Sequence, residues 1–488
     1  MSVDAHRRAA LTRPISAHLE RYLHAYAIVG IALSFIALYA RALAQGGRWD
    51  LYEPVAMADR IGSYFAYTTG SADALAPSTP YFLGVAVISF IAKHISADFQ
   101  IEILLFTATL SVFLLQICLF TVYRRIGGKE DVLVFFGLSL AVTLFCLNRY
   151  LDYALEFKPD TAALIFFSLL TAVVLSEMAL WPRLLFLIVL AAGASLFKQQ
   201  VLVAIAALGM ARLAWGGPFA RRFIDTTTIA IGASIGLAIS LSVENAIFFT
   251  VLSHMGRPTV KLLDMEHADL LIRAALLGAL ALALHKFRGL LREITRTALI
   301  LPYSVPTVVW FLVCIAGARN LGGNSGNTAV GLILLVPFAV VLLDRLDVRA
   351  KTLIFIAISL YSLAYLGGSG WLARYQDRVA SEVQIAEELG RAKVQTALIS
   401  GDSYIAARRA GVDRVSEIDS WAHIHNGISS DRVAPDGPAL IAEINPDAIV
   451  CMQSCSVFKP YGFDPAGAGY REVKVPASTL GGVLFLRQ

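Results

Sequence analysis

Charge is scarce in this sequence. Asp, Glu, Lys and Arg make up 16% of its 488 residues, whereas a soluble domain carries about 25%. The net charge is only +5, which gives no indication of a nucleic-acid partner. The C-terminal part contains no glycine-rich phosphate-binding fingerprint, so the sequence gives no support for nucleotide binding. These shortages argue against a soluble protein that binds nucleotides or nucleic acids.

Cysteine is scarce as well, with five residues in the chain. Cys118, Cys146 and Cys314 lie inside apolar runs, where cysteine is usually a small hydrophobic residue. Cys451 and Cys455 lie near the C-terminus, and their spacing matches no recognised metal site. One interpretation is a local disulfide, which requires an oxidising compartment, and the other is a pair of free thiols.

Long apolar runs are abundant. Hydrophobic residues make up 57% of the sequence, and many of them form runs close to the ~20 residues that cross a bilayer as a helix. This pattern predicts a polytopic α-helical membrane protein with about eleven transmembrane helices. The predicted spans are residues 24–44, 101–123, 131–149, 161–180, 183–198, 200–215, 226–249, 268–286, 296–317, 326–343 and 351–370.

Basic residues are distributed unequally between alternate loops. The segment before the first span and every second loop after it are rich in Lys and Arg, which predicts that these loops and the N-terminus are cytoplasmic. An odd number of spans then places the C-terminus outside. The basic loop residues are Arg124, Arg125, Lys129, Arg183, Arg221, Arg222, Lys286, Arg288, Arg292, Arg296, Arg345, Arg349 and Lys351.

Residues 45–100 are predicted to form one large outer loop. The apolar run at 81–95 is too short and interrupted for a span, and counting it would invert the sidedness of every later loop. We therefore expect it to lie as a helix at the outer membrane interface. After residue 371 the composition changes, and strand-like segments alternate with helical ones. The predicted domains are a membrane domain at 1–371 and a small soluble α/β domain at 372–488 on the non-cytoplasmic face.

Polar residues gather in the loops assigned to the outer face. Charged groups at membrane depth are costly, so they indicate a functional site. Other interpretations are open: the acids after the first span could solvate a loop, and an acid before the fourth span could simply favour a helix N-terminus. The candidate residues are Asp50, Glu53, Lys158, Asp160, Lys198, Gln199, Arg319, Asn324 and Asn327.

The order of these motifs resembles that of the GT-C superfamily of membrane glycosyltransferases, which includes protein O-mannosyltransferases and the lipid A aminoarabinose transferase. The matching segments are Lys158-Pro159-Asp160, Lys198-Gln199, Thr79-Pro80-Tyr81 and Gly322-Gly323-Asn324 with Asn327. Many relatives carry two adjacent acids after the first span, whereas Asp50 and Glu53 are separated by two residues. Which of the two is the base therefore stays open. On a helix, this spacing would place both on one face.

The resemblance implies an inverting transfer of a sugar from a polyprenyl-phosphate donor to an acceptor hydroxyl, at the outer face of the inner (plasma) membrane. Asp50 is the first candidate for the base and Glu53 the second. Lys198 and Lys158, with Arg319 behind them, are expected to stabilise the leaving phosphate. Asp160 could orient Lys158, contact the sugar or help to hold a cation, and Gln199, Asn324 and Asn327 complete the expected substrate-binding set.

The implied partners are the lipid-linked sugar, a lipid or glycan acceptor and membrane lipids, and no nucleic acid. No cofactor is expected to be required, and a divalent cation is left open. The competing interpretation is a transporter or flippase of a lipid-linked sugar. Such proteins usually show internal repeats and polar residues near the membrane midplane. The sequence shows no clear repeat and gathers its polar residues on one face, which favours an enzyme.

Overall fold

The computed structural model is mainly helical, with a small sheet near the C-terminus. It describes residues 3–46, 49–60, 84–242, 301–318, 325–417, 441–442, 444–451, 465–474 and 483–488. The predicted span at 268–286 therefore lies outside the described residues.

Fourteen helices precede the C-terminal domain in the described ranges. A short 3₁₀ turn, Ile333–Leu335, separates the twelfth from the thirteenth. The helices are α1 Val3–Gln45, α2 Trp49–Arg60, α3 Gly84–Ile95, α4 Gln100–Arg125, α5 Val132–Cys146, α6 Asn148–Ala154, α7 Pro159–Val174, α8 Leu180–Phe197, α9 Val201–Ala214, α10 Phe219–Leu241, α11 Leu301–Ala318, α12 Ser325–Leu332, α13 Val336–Leu343 and α14 Val348–Gly368.

Five of the described helices are long and apolar enough to cross a bilayer: Tyr22–Gln45, Gln100–Arg125, Leu180–Phe197, Phe219–Leu241 and Val348–Gly368. The helical membrane architecture is thus confirmed, and the count of eleven stays a prediction. The shorter apolar helices are Gly84–Ile95, Pro159–Val174, Val201–Ala214, Tyr303–Ala316 and Ala329–Leu343.

The predicted span at 131–149 does not continue as one straight helix. Helices α5 and α6 meet at Leu147 and are bent by 94°. Asn148 and Arg149 end the apolar run at this point, and polar groups of this kind are costly within hydrocarbon. The chain therefore turns where its apolar run ends, and α6 leads across to the start of α7.

Small residues let α8 and α10 pack closely. A Cβ atom built on Gly232 would lie 2.5 Å from the carbonyl oxygen of Ile188, and one on Gly236 would lie 2.4 Å from that of Ala192. Such small residues four apart are a common means of close helix packing in membranes. The contact fixes α8, whose two ends carry the buried charges described below.

The start of α8 carries a buried cluster of two arginines and one aspartate. Arg183 Nε donates to Asp225 Oδ1 at 2.8 Å, and Arg212 Nε donates to Asp225 Oδ2 at 2.8 Å. Arg183 also donates to the carbonyl oxygens of Val173 and Ser176, each at 2.7 Å. The cluster joins α7, α8, α9 and α10 at the end of the bundle that is rich in basic residues.

The C-terminal part forms the predicted small α/β domain. Its strands lie in the order β2-β1-β3-β5-β4, with β2, β1 and β3 parallel and β5 and β4 antiparallel. Strands β2 and β4 were not predicted from the sequence. Both are edge strands that carry several charged residues, as edge strands often do. The elements are α15 Trp371–Arg391, β1 Thr396–Ile399, α16 Tyr404–Arg409, β2 Arg414–Glu417, β3 Ala448–Cys451, β4 Tyr470–Lys474 and β5 Val483–Arg487.

Candidate active site

Asp160 and Lys198 form a buried ion pair between the start of α7 and the end of α8. Asp160 lies in the first turn of α7 behind Pro159, a residue that favours helix starts. Lys198 follows the last residue of α8 in an extended conformation. Its Nζ donates to Asp160 Oδ2 at 2.9 Å, and the hydroxyl of Tyr153 donates to the same oxygen at 3.1 Å. The two sequence motifs are therefore brought into direct contact.

Lys158 lies in the same cluster. The preceding residue, Phe157, has φ +61°, a left-handed conformation that is unusual for a bulky side chain and is often found at functional sites. The Lys158 ammonium lies 3.6 Å from Glu156 Oε2 and 4.8 Å from the centre of the Tyr153 ring. Tyr153 thus contacts Lys158 through its ring and Asp160 through its hydroxyl.

A small cleft opens beside Lys158. Its walls come from α3, α4, the start of α7 and the end of α8, and most of the lining is apolar, including Val85, Ile88, Ala108 and Phe197. The cleft is small, about 10 Å³ in volume, and places apolar walls beside one buried ammonium.

Gly84 brings the first turn of α3 against the end of α8. A Cβ on Gly84 would lie 2.8 Å from the Phe197 ring and 2.9 Å from the carbonyl oxygen of Leu196. The wall formed by α3 therefore stands directly beside the turn that carries Lys198.

The two candidate bases lie on α2. Glu53 is buried, with 1% of its surface exposed. Asp50 lies in the first turn of the helix, and its side chain is outside the described part of the chain. Because the segment is helical from Trp49, the spacing of three residues places both acids on one helix face.

The remaining candidates are only partly described. Gln199 lies in the turn between α8 and α9 and is half-buried. Arg319 and Asn324 lie outside the described residues. Asn327 lies in α12, and its side chain is likewise not among those described. The structure therefore brings together Lys158, Asp160 and Lys198 and leaves the other positions as predictions.

Tyr153 was missed by sequence reasoning. It lies in α6, and the bend after α5 carries it to the start of α7. An aromatic residue five positions before Lys158 gives no signal by itself. Cys314 of α11 also lies within electrostatic range of Asp160 and Lys198, which brings a fourth helix to the cluster.

No grouping of three or more His, Cys, Asp or Glu side chains that could hold a metal ion occurs within the described ranges. The expectation about a divalent cation stays a prediction.

The geometry defines a polytopic membrane protein with a buried lysine-carboxylate cluster beside an apolar cleft. No family model and no curated protein matches this sequence. The fold matches the crystal structure of ArnT from Cupriavidus metallidurans bound to undecaprenyl phosphate, with TM-score 0.58 and 13% identity over 94% of this chain and 97% of that chain. The apo structure of the same protein matches with TM-score 0.56 over the same shares. The predicted GT-C type of fold is confirmed.

Proposed function

We propose that this protein is an inverting glycosyltransferase that moves a sugar from a polyprenyl-phosphate donor to an acceptor hydroxyl. The observation that carries the proposal is the buried cluster of Lys158 and Lys198, which pair with Glu156 and Asp160 respectively, beside a cleft with apolar walls. A polyprenyl phosphate has the matching chemistry, a hydrocarbon chain that ends in an anion. The ArnT structure with the same fold is bound to undecaprenyl phosphate, which supports this class of donor.

In the proposed reaction the acceptor oxygen attacks the anomeric carbon, and the bond from that carbon to the phosphate oxygen breaks. The phosphate leaves with the electron pair, so its negative charge grows during the step. Fixed positive charge lowers the energy of such a transition state, and Lys198 and Lys158 supply it, with Arg319 as a third candidate. Asp160 holds the Lys198 ammonium in place.

The acceptor hydroxyl loses its proton during the attack. A carboxylate within hydrogen-bonding reach can take it, and we assign this role first to Asp50 and second to Glu53. Both belong to α2, which packs against α3, a wall of the cleft. Gln199, Asn324 and Asn327 are assigned to sugar and phosphate binding. The acceptor is assigned as a lipid or glycan.

We place the reaction at the outer face of the inner membrane, with about eleven spans, a cytoplasmic N-terminus and a periplasmic C-terminal domain. Two observations support this placement. The basic cluster of Arg183 and Arg212 lies at the opposite end of α8 from Lys198. Cys451 of the C-terminal domain is disulfide-bonded, and disulfides persist in oxidising compartments. Its partner lies outside the described residues.

The test is incubation of the purified protein with a panel of radiolabelled polyprenyl-phosphate sugars and detection of transferred label. We expect Lys198→Gln to reduce transfer by about 100-fold or more, in line with the loss of one transition-state donor. Lys351→Gln is the matched control, because Lys351 is also a buried lysine paired with an acid, Glu130, but belongs to the other end of the bundle. Equal activity in both variants would contradict the assignment.

Substitution of the candidate bases gives a second measurement. We expect Asp50→Asn to abolish transfer while donor binding is kept, because the amide cannot accept the proton. If Asp50→Asn and Glu53→Gln both keep near-normal turnover, the assigned base is wrong. Chelation with EDTA is expected to leave turnover unchanged, and loss of activity restored by added Mg²⁺ or Mn²⁺ would show that a cation takes part.

A further inference from the structure

Helix α2 is held at its C-terminal end by the C-terminal domain. The Tyr404 hydroxyl donates to Asp59 Oδ2 at 2.9 Å, and Arg408 NH1 donates to the same oxygen at 3.2 Å. Lys93 of α3 lies 2.8 Å from Asp59 Oδ1. Asp59 therefore receives groups from two other elements, α16 of the soluble domain and α3 of the outer loop.

Arg408 extends this contact to a third helix. Its NH1 donates to Gln100 Oε1 at 2.8 Å, and its NH2 donates to the carbonyl oxygen of Ala97 at 3.3 Å. Gln100 Nε2 in turn donates to Ser89 Oγ of α3 at 3.0 Å. One guanidinium of the soluble domain thus ties the end of α2 to the junction of α3 and α4.

The start of α2 is held by a second arginine. Tyr52 is fully buried, and its hydroxyl lies close enough to the guanidinium of Arg378 of α15 to interact with it electrostatically. Arg378 NH1 donates to Glu382 Oε1 at 2.9 Å, and its NH2 lies 3.5 Å from Glu102 Oε1 of α4. Gly46, directly after α1, packs against this side chain, because a Cβ on Gly46 would lie 2.7 Å from Arg378 Cδ.

Between these two anchors lies Glu53, with Asp50 one helical turn before it. We propose that the C-terminal domain positions α2, and that Arg408 is the positioning residue that fixes the helix, and with it both candidate carboxylates, through Asp59. The kinetic consequence rests on the proposed function, whereas the positioning of the helix does not.

The kinetic test compares Arg408→Gln, Asp59→Asn and the double variant in the full-length protein. We expect turnover to fall between about tenfold and 100-fold, as displacement of a reacting group does, while binding of undecaprenyl phosphate is unchanged because it depends on Lys158 and Lys198. The double variant should lose less than the two single losses combined, because the two residues share one contact. Arg408→Lys should recover part of the loss, since an ammonium can reach Asp59 but lacks the planar fork that also binds Gln100.

Arg391→Gln is the control variant. Arg391 also lies in the C-terminal domain, but it is 68% exposed and pairs with Glu388 of its own helix. We expect its turnover and unfolding temperature to match those of the unmodified protein.

Hydrogen exchange of residues 49–60 tests the positioning without any reaction. We expect faster exchange there in Arg408→Gln than in Arg391→Gln, with no change in α8 or α10. If this is seen while the unmodified protein transfers no sugar, the positioning stands and the proposed function fails. If the unmodified protein is active and Arg408→Gln matches Arg391→Gln in turnover and exchange, the positioning is overturned. A parallel loss of donor binding, turnover and unfolding temperature would also overturn it.

Discussion

The two ends of α8 carry buried charges in opposite settings. At its start, Arg183 has an acceptor for each of its five N–H groups: both Asp225 oxygens and the carbonyl oxygens of Val173, Val174 and Ser176. Beyond its end, about 22 Å away, Lys198 pairs with Asp160, and Lys158 of the same cluster pairs with Glu156 and lines a cleft. A saturated, closed cluster holds helices together, whereas a cluster open to a cleft is placed to meet a ligand.

The largest effect that this comparison predicts is on stability at the closed end. Asp225→Ala would leave Arg183 and Arg212 buried without their common carboxylate, and breaking a buried pair in this way costs about 3–5 kcal/mol. We expect a sharp loss of folded protein and a lower unfolding temperature in detergent.

The control is Asp347→Ala. This change removes the N-terminal cap of α14, where the Asp347 side chain accepts a hydrogen bond from the Ala350 amide. Loss of a cap costs about 1 kcal/mol. Equal destabilisation by the two variants would remove the distinction between a saturated buried cluster and an ordinary polar contact.

The second prediction concerns activity at the open end. The double variant Lys198→Met with Asp160→Asn removes both charges of the pair, so that no buried charge is left without a partner. We expect the unfolding temperature to stay near that of the unmodified protein and sugar transfer to fall by about 100-fold or more. A variant that unfolds but keeps its specific activity would reverse the roles of the two ends of α8.

The smallest effect is expected at an exposed charge pair near the closed end. His24 and Asp131 lie 2.6 Å apart, and Asp131 caps α5 by accepting from the amides of Leu133 and Val134. Burial acts to raise the pKa of Asp131, but the hydrogen bonds from His24 and the two amides outweigh it, so the pKa lies below its ordinary value of 3.8. The carboxylate therefore stabilises the fold above that value, and the contribution is lost as pH falls through the lowered pKa.

We expect Asp131→Asn to lower the unfolding temperature slightly at neutral pH and to leave it unchanged at the acid end of the range. The measurement is the unfolding temperature of both proteins as a function of pH. A difference that grows as the pH falls would show that the sign of the linkage is wrong.

The helical membrane fold followed from sequence, because long apolar runs are a local feature. The sequence also placed the two lysine motifs on one face, but it did not predict that Asp160 pairs with Lys198 rather than with Lys158. The pairing of Arg183 with Asp225 did not follow from the sequence either. In the sequence, Arg183 is one more basic residue in a loop predicted to be cytoplasmic. No periodic pattern links it to Asp225, which follows 42 positions later. Tyr153 was missed for the same reason, since its role arises from the bend after α5.

In the C-terminal domain, too, some elements could be predicted from the sequence and others could not. Strands β1, β3 and β5 are apolar and could be recognised, whereas the charged edge strands β2 and β4 could not. The contacts of Arg408 with Asp59 and Gln100 join residues more than 300 positions apart. Such contacts depend on how the C-terminal domain packs against α2, α3 and the start of α4, which no local pattern encodes.

The absence of a side chain at Gly84 determines how closely α3 packs against α8 beside the cleft. At Gly84, α3 packs so closely against the end of α8 that only a hydrogen atom fits between them. Any side chain at this position would collide with Phe197 and the Leu196 backbone. Replacing that hydrogen by a methyl group would push the wall outward, next to the turn that carries Lys198. The spacing between α3 and the end of α8 is therefore set by one missing side chain, so Gly84→Ala is expected to change the width of the cleft.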